Sequence, residues 1–326
     1  MNQQAVNPNE SSSQEHKTKQ PRITVIGSLN MDLVTTTSNV PSAGETVNGE
    51  AFSTMYGGKG ANQAVACARL GAEVHMLGCV GSDSFGHEML SNLKDQSIHC
   101  EHVKVLEDQS SGIAAITIAD GDNRIIVVPG ANGAVTPAYV RQHEQLIADS
   151  DLLLLQLEIP LEAVTEAVDI AHLYQVPVML NPAPAQHLPD SLIEKITWLT
   201  PNEHELLQLF QSRTGEDQLE AAYRELIASR PEKVIMTKGS DGALWSDNKG
   251  TVQHTPGYSV KVVDTTGAGD TFNGALAVAL AEGRSLHDAV HWAVGAGALS
   301  VMKFGAQGGM PLRSELDAWL SQQNNN

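Results

Sequence analysis

The residues best suited to chemistry lie in the stretch Asp264-Thr-Thr-Gly-Ala-Gly-Asp270, which runs into the Ala- and Leu-rich segment 271–280. A glycine-rich turn entering a helix presents unpaired backbone N–H groups and a positive helix end, and both favour a bound phosphate. Asp270 falls where the helix should begin, so its carboxylate could accept a proton from an alcohol that attacks a phosphoryl group. Taken alone, such a pattern more often marks an ordinary helix cap.

A second glycine-rich segment, Gly57-Gly-Lys-Gly-Ala-Asn-Gln63, also precedes a predicted helix. Lys59 and Asn62 lie at the start of that helix, where ammonium and amide groups could donate hydrogen bonds to sugar hydroxyls. The alternative for this segment alone is a capped turn that faces solvent.

A third polar segment, Gly27-Ser-Leu-Asn-Met-Asp32, follows the first predicted strand. Ligands of α/β proteins bind at the carboxyl ends of such strands. Asn30 and Asp32 are two residues apart, so in extended chain they lie on one face and could contact the same ligand. Two polar residues that leave a strand are otherwise common turn formers.

The elements that must position these segments alternate between short apolar runs and helical stretches. Apolar runs of this length, separated by helices, are typical of a parallel sheet that is covered on both faces. The sequence therefore predicts an α/β three-layer sandwich. The predicted strands are residues 23–26, 74–80, 152–157, 176–180, 198–199 and 233–237, and the predicted helices include 62–70, 161–174 and 203–210.

Two insertions, Met31 to Tyr56 and Ser111 to Val128, interrupt this alternation with residues that favour extended chain and turns. In the second insertion, strand-like residues 112–119 and 124–128 flank a turn-rich tetrapeptide, which predicts a hairpin. We expect both insertions to form one small β-sheet that projects from the core as a discontinuous lid. An exposed sheet needs a cover, which ligand closure or a second subunit would provide.

The composition sets the class of protein and of partner. The 326 residues, 41% of them hydrophobic, suffice for one large domain, which we assign to residues 21–320 between polar tails at 1–20 and 321–326. The formal charge of −18 opposes an extended nucleic-acid or acidic-membrane surface. Cys67, Cys79 and Cys100 have neither zinc-site spacing nor disulfide-scaffold density. With no secretory signal and no membrane-length apolar run, we expect a cytoplasmic protein.

Other functions fit the motifs less well. A dinucleotide-binding dehydrogenase is disfavoured because no Gly-x-Gly-x-x-Gly follows the first strand, and a P-loop kinase because Gly60 stands where a magnesium-binding Ser or Thr belongs. The histidines show no paired ligand spacing that would indicate a structural metal. A non-catalytic sugar-binding or regulatory protein is the alternative from another class, and Asp270 opposes it.

In order and spacing, these segments resemble the ribokinase family of ATP-dependent sugar kinases. The resemblance extends from Ile23 to Trp319. It implies the family's fold, with a sheet lid that closes over the sugar and joins two subunits as a homodimer; a lid on a monomer is the alternative. Further matching segments are Gln156-Leu-Glu158, Asn181-Pro-Ala-Pro-Ala185, Thr200-Pro-Asn-Glu-His-Glu205, Thr237-Lys-Gly-Ser240 and Gly305-Ala-Gln307.

The resemblance also implies an activity, namely transfer of a phosphoryl group from ATP to a small sugar. The combination of motifs implies D-ribose, phosphorylated at its 5-hydroxyl, with another sugar or a nucleoside as the alternative. Asp270 would be the general base, and Gly267, Ala268 and Gly269 would form an anion hole. The residues implied to bind the sugar are Asn30, Asp32, Gly58, Lys59, Asn62, Glu158 and Asp270.

The same resemblance implies a nucleotide site with magnesium beside it. Asn202 and Glu205, spaced Asn-x-x-Glu, would order Mg²⁺ through water, a role that suits an ion which keeps much of its hydration. Without the other motifs, a helix cap followed by a surface Glu would be the simpler interpretation. The residues implied for the nucleotide are Asn181, Asn202, Thr237, Gly239, Ser240 and Gly269.

A monovalent cation, K⁺, is implied beside the anion hole. Its ligands would be the Asp264 carboxylate and backbone carbonyl oxygens. One departure from the family pattern is Gly309, which stands where a serine hydroxyl is common, so a water or a neighbouring group would have to complete the shell. The carbonyls implied to bind the cation belong to Thr266, Ser300, Lys303 and Gly305.

Overall fold

The structure of the protein is a computed structural model that describes residues 20–120, 122–209, 221–223, 226 and 233–323. Strands and helices alternate along most of these ranges, as in α/β proteins. The strands are β1 (Arg22–Ile26), β2 (Asn30–Thr36), β3 (Ala51–Gly57), β4 (Glu73–Gly81), β5 (His99–Leu106), β6 (Gly112–Ala119), β7 (Asp122–Val128), β8 (Leu152–Leu155), β9 (Val178–Leu180), β10 (Trp198–Leu199), β11 (Ile235–Thr237), β12 (Ala243–Ser246) and β13 (Val252–Thr255).

Helices connect most of the central strands. Two short 3₁₀ turns, Gly130–Ala134 and Gly239–Asp241, follow β7 and β11. The α-helices are α1 (Lys59–Arg69), α2 (Ser84–Asp95), α3 (Pro137–Gln142), α4 (Glu144–Ala148), α5 (Leu161–Leu173), α6 (Asp190–Ile193), α7 (Glu203–Leu209), α8 (Ala268–Ala281), α9 (Leu286–Ser300), α10 (Ala306–Gly309) and α11 (Arg313–Gln323).

The central sheet is parallel and has the strand order β10-β9-β8-β1-β4-β5. Alternate side chains of one strand enter opposite cores: Leu152 and Leu154 pack with residues of α1, α8 and α9, whereas Leu153 and Leu155 pack with α5. A parallel bridge between Leu199 and Val234 links this sheet to the antiparallel strands β11-β12-β13. The predicted α/β sandwich, with helices on both faces of a parallel sheet, is confirmed.

The two insertions contribute to one small sheet with the order β3-β2-β6-β7. Strand β2 pairs with β3 in antiparallel and with β6 in parallel orientation, so the first and second insertions meet along β2 and β6. Strands β6 and β7 form the predicted antiparallel hairpin. All residues of β7 are exposed, including Ile125, Ile126, Val127 and Val128.

Several predicted boundaries differ from the structure for local physical reasons. Helix α1 begins at Lys59 rather than Asn62, because Gly58 adopts a φ of 84° and ends the preceding turn. Strand β8 ends at Leu155 rather than at residue 157, and the side chain of the next residue, Gln156, donates to Gln63. Residues 321–323 form the last turn of α11 and are not part of a tail.

Some predictions fall on parts of the chain that are not described. The predicted tails at residues 1–19 and 324–326, and residue 210 of the third predicted helix, lie outside the described residues. Among the residues that are described, no helix is both long enough and apolar enough to cross a membrane.

Candidate active site

The glycine-rich turn forms the N-terminus of α8. Gly267 is the N-cap and adopts a left-handed φ of 76°, and a Cβ at this position would lie 2.9 Å from the Ala306 Cα. A side chain would therefore be strained and crowded there. The Asn273 amide donates to the Gly269 carbonyl O at 2.8 Å, and the Ala268 N–H donates to the Thr265 carbonyl O at 3.2 Å. The helix end thus presents its remaining N–H groups beside Asp270.

Asp270 is buried on the first turn of α8, where two amide groups hold its carboxylate. Asn62 donates to Oδ2 and Gln63 donates to Oδ1, each at a distance of 3.0 Å. Burial raises the pKa of Asp270 above its usual value, while Lys59 and the Asn62 and Gln63 donors oppose that rise. The carboxylate is thus held in one orientation by donors on α1.

An open cavity of about 210 Å³ lies in front of Asp270. A water occupies about 30 Å³ in the liquid, so this space admits groups as large as phosphates. The cavity joins the glycine turn, the start of α1 and the start of α7. Its lining residues are Lys59, Asn181, Ala183, Thr200, Asn202, Glu205, Thr237, Thr265, Gly267, Ala268, Gly269, Asp270 and Asn273.

Asn30 and Asp32 are both buried on β2, as alternate residues that share one face. The Asn30 Oδ1 accepts from the Asn132 amide at 2.8 Å, which leaves the Asn30 amide nitrogen for another partner. Burial, together with the charges of Glu158 and Asp270, raises the pKa of Asp32 to about 7 against the opposing charge of Lys59. The structure therefore groups Asp32 with the acidic residues of the site.

Glu158 and Lys59 lie between β2 and Asp270. The Glu158 Oε2 accepts from the Ser28 hydroxyl at 2.5 Å and from the Lys59 backbone N–H at 2.9 Å. Burial lowers the pKa of Lys59, but Asp270 and Glu158 outweigh it and raise that pKa overall. Gly58 permits this packing, because a Cβ there would lie 2.7 Å from the Asn30 backbone nitrogen. All the predicted sugar-binding residues thus meet at the junction of β2, α1 and α8.

Asn202 and Glu205 form a reciprocal cap at the start of α7. The Glu205 carboxylate accepts from the Asn202 backbone N–H at 2.8 Å and from its amide at 2.9 Å, and Asn202 Oδ1 accepts from the Glu205 N–H at 2.8 Å. The two residues therefore do form a helix cap, as the simpler interpretation of the sequence has it, and they also line the cavity. Burial raises the pKa of Glu205, against hydrogen bonding from Asn202 and the charge of Lys59.

The other predicted nucleotide residues divide into two groups. Asn181 and Thr237 line the cavity, whereas Gly239 and Ser240 lie in the 3₁₀ turn after β11 and do not line it. The Asn181 amide donates to the Thr200 carbonyl O at 3.0 Å. The structure therefore places Asn181, Asn202 and Thr237 around the cavity with Gly269, whereas Gly239 and Ser240 lie outside its lining.

The segments predicted to hold K⁺ lie side by side. The Asp264 Oδ2 accepts from the Gly305 N–H at 2.8 Å, and its Oδ1 accepts from the Thr266 N–H at 2.9 Å. The Asp264 N–H donates to the Val301 carbonyl O at 3.2 Å, which fixes this loop against the end of α9. Backbone carbonyls and one carboxylate are oxygen donors that suit a weakly hydrated cation, so the donor set fits K⁺. Besides Asp264 and Thr266, this segment pair contains Ser300, Lys303 and Gly305.

Gly309 approaches the same segment too closely to carry a side chain. A Cβ at this position would overlap the Ser300 carbonyl oxygen. A serine in this backbone would therefore displace one of the predicted cation ligands.

Sequence reasoning assigned no role to several residues that contact the site. Ser28 bonds to Glu158, and Gln63 bonds to Asp270. Gln156 and Gln307 bond to Gln63 and to Asn62, respectively. One available signal was position, because Gln156 follows four buried leucines directly and a buried amide there needs a polar partner.

Residues 20–313 match the family of pfkB carbohydrate kinases. A ribokinase from Bacillus subtilis is 48% identical over 299 residues, which cover 92% of this chain and 99% of that protein. A deoxyribokinase from Salmonella typhi is 37% identical over 302 residues, with 92% and 98% covered. The structure of Arabidopsis thaliana ribokinase complexed with ribose and ATP is 31% identical, covers 92% of this chain and 99% of its own, and superposes with a TM-score of 0.86. The chain therefore belongs to the pfkB family of carbohydrate kinases and is a sugar kinase.

Proposed function

We propose that the protein transfers the γ-phosphoryl group of ATP to the 5-hydroxyl of D-ribose, with Asp270 as the general base. The observation that carries this proposal is the position of Asp270, which is buried on the first turn of α8, lines the cavity and interacts electrostatically with Asp32 and Glu158. The similarity to ribokinases supports ribose as the acceptor.

In the proposed reaction, Asp270 accepts the proton of the 5-hydroxyl as the sugar oxygen forms a bond to the γ-phosphorus. The bond between that phosphorus and the bridging oxygen of ADP breaks, and ADP leaves. N–H groups of the turn formed by Gly267, Ala268 and Gly269 would stabilise the negative charge that develops on the phosphoryl oxygens, with the Ala268 N–H shared with the Thr265 carbonyl. Lys59, which also lines the cavity, adds a positive charge.

The sugar is proposed to bind where Asn30, Asp32, Glu158 and Lys59 meet. Carboxylates accept hydrogen bonds from hydroxyl groups, and the Asn30 and Asn62 amides each retain an N–H that has no acceptor among the residues that the structure describes. Asn62 would use one amide hydrogen for Asp270 and the other for the sugar. The Gly58 turn contributes by bringing the α1 backbone against β2.

On the nucleotide side, Asn202 and Glu205 would hold Mg²⁺ through water, and the ion would neutralise phosphate charge when bound. The Glu205 oxygens accept from Asn202, but a carboxylate has further lone pairs that can accept from metal-bound water. Asn181, Thr237, Gly239 and Ser240 are proposed to contact the nucleotide. Asp264 and the surrounding carbonyls would hold K⁺, whose charge would support the adjacent anion hole.

The small sheet is proposed to act as a lid and as a dimer surface. Strand β2 contributes Asn30 and Asp32, so a sugar that binds them contacts the sheet directly. A lid that closes on the sugar would exclude water and suppress ATP hydrolysis. Ile126 is 69% exposed and Phe52 is 66% exposed, which is a large apolar surface for a free sheet and favours a symmetric partner.

An ATP-consumption assay with a panel of acceptors tests the proposed function. Ribose, deoxyribose, fructose and adenosine would be compared at equal concentrations, with product identified by mass spectrometry. We expect the highest kcat/KM for ribose. Deoxyribose is the second candidate, because a deoxyribokinase shares 37% of aligned residues with this chain. No phosphorylation of any acceptor would leave a non-catalytic sugar-binding protein.

A further inference from the structure

A row of amide groups leads from half-buried Asn92 through buried Gln307 and Asn62 to one oxygen of Asp270. The Asn92 amide donates to Gln307 Oε1 at 2.8 Å, and the Gln307 amide donates to Asn62 Oδ1 at 3.0 Å. The Asn62 amide then donates to Asp270 Oδ2 at 3.0 Å. Every step runs in the same direction, with nitrogen donating toward the carboxylate. Three separate helices, α2, α10 and α1, supply the three amides.

A second row reaches the other oxygen of Asp270. The Gln156 amide donates to Gln63 Oε1 at 2.6 Å, and the Gln63 amide donates to Asp270 Oδ1 at 3.0 Å. The second hydrogen of the Gln63 amide faces Asn181 Oδ1 at 3.2 Å. Gln63 and Gln156 are both fully buried. The two rows converge on the two oxygens of one carboxylate.

The ionised carboxylate determines the direction of both rows. A carboxylate can only accept, so Asn62 and Gln63 must each present nitrogen to Asp270 and oxygen away from it. Each amide oxygen is then met by the nitrogen of an outer amide. If Asn62 turned over, its oxygen would face a carboxylate oxygen and its nitrogen would face the nitrogen of Gln307. The outer amides therefore oppose the flipped orientation of the inner ones.

The arrangement leaves one oxygen of Gln156 without a hydrogen-bond donor. Its Oε1 is one of two buried side-chain atoms without a partner among the described residues. A buried oxygen without a donor is unfavourable, yet the orientation satisfies Gln63 and, through it, Asp270. This unpartnered atom indicates that the direction of the row is set at its Asp270 end.

We propose that Gln63, Gln156 and Gln307 are positioning residues that keep two amide donors on the Asp270 carboxylate, so that the general base stays ionised and fixed in orientation. This inference rests on the proposed role of Asp270 as the base. Linked hydrogen bonds of one direction polarise one another, so the outer glutamines strengthen the inner donors. Gln156 and Gln307 act through Gln63 and Asn62, respectively, and do not line the cavity.

Charged groups also face Asp270, and the test must leave them unchanged. Lys59 on α1, Glu158 after β8, Asp32 on β2 and Glu205 on α7 all interact electrostatically with it. Replacement of glutamine by methionine alters none of these charges. It conserves side-chain length and most of the volume, so the core should tolerate it.

The test compares the pH profiles of kcat/KM for Gln63→Met, Gln307→Met and the wild type, with ribose and ATP. Loss of a donor to the ionised form should move the acid limb of the profile upward by about 1 pH unit for Gln63→Met and about 0.5 unit for Gln307→Met. Most activity should return at high pH. Gln253→Met is the matched control, because Gln253 is a half-buried glutamine that bonds to Asp247 away from this site.

A purely structural role would lower kcat/KM by the same factor at every pH, and that result, or profiles that superpose on the wild type, would overturn the proposal. Thermal unfolding establishes that each variant is folded. If the buried variants do not fold, Asn92→Leu at the partly exposed end of the first row should still lower kcat/KM about twofold at pH 6 and not at pH 9. If the ratio of its kcat/KM to that of the wild type is instead the same at pH 6 and pH 9, the proposal is refuted.

Failure of the base assignment is separable from failure of the positioning role. If Asp270→Asn keeps near wild-type turnover, the proposed function of Asp270 is wrong and the amide rows have another purpose. If Asp270→Asn is inactive while Gln63→Met and Gln307→Met retain the wild-type acid limb, the positioning role alone is wrong.

Discussion

Replacement of Asp32 by asparagine should remove a pH dependence of stability that the buried carboxyl creates. Asp32 is 8% exposed, and burial, with Glu158 and Asp270, raises its pKa to about 7. Between the ordinary carboxyl pKa and this value, folded Asp32 holds a proton that the unfolded chain has released. The free energy of unfolding of the ligand-free protein therefore falls as the pH rises through this window.

The size of the effect follows from the width of the window. Each pH unit over which only the folded state holds the proton changes the free energy of unfolding by about 1.4 kcal/mol. From pH 5 to pH 8 the folded carboxyl loses its proton near pH 7, so the difference in protonation extends over about two pH units. The wild type should thus lose roughly 3 kcal/mol more than Asp32→Asn, whose amide does not titrate.

Urea unfolding of both proteins at pH 5 and pH 8, without sugar or nucleotide, measures this difference. Any change that the substitution causes equally at both pH cancels in the comparison. Asp108→Asn, at an exposed carboxyl, is the control and should follow the wild type. If Asp32→Asn differs from the wild type by the same amount at both pH, Asp32 is already ionised at pH 5 and the electrostatic reasoning is refuted.

Four further outcomes are expected. Asp270→Asn should lower turnover by about 100-fold or more and leave sugar binding largely intact, because an amide cannot accept the hydroxyl proton; near wild-type kinetics would contradict this. Lys59→Ala should weaken sugar binding by roughly 1–3 kcal/mol in calorimetric titration, and unchanged affinity would remove Lys59 from the site. Ile126→Lys should convert a dimer into a monomer in light scattering, whereas a wild-type mass near 34.8 kDa would refute the dimer. Gly309→Ser should lower the thermal midpoint through its overlap with the Ser300 carbonyl; an unchanged midpoint would show that the loop adjusts.

Much of the fold could be predicted because the relevant signals are local. The four leucines of β8 and the alternation of strands with helices indicate a buried parallel sheet whatever the tertiary contacts are. The hairpin of β6 and β7 follows from two apolar runs around a turn. The start of α1 was misplaced, since glycine propensity suggested a turn through Gly60, whereas the turn ends at Gly58 and the helix begins at Lys59.

Only those residues of the candidate site that belong to recognisable sequence motifs could be predicted. Asp270 was identified from a helix start, but its two amide partners come from residues more than 200 positions away in sequence. No local pattern reveals that Gln63 faces Asp270, or that Gln307 faces Asn62. Likewise, the close approach of Gly309 to Ser300 depends on how two helices pack. Such contacts depend on the tertiary structure, and no spacing between residues in the sequence predicts them.

The charges of the site divide it into two regions of different chemistry. Asp32, Glu158 and Asp270 all interact electrostatically with Lys59 at the proposed sugar site, and three carboxyl groups to one ammonium favour neutral hydroxyl donors over phosphate. On the other side of Asp270, the N–H groups of α8 favour anions. A neutral sugar and an anionic nucleotide would therefore each be drawn to opposite sides of one carboxylate. The phosphorylated product, which carries new negative charge next to Asp270, would be bound less well than the sugar, and this difference would favour its release.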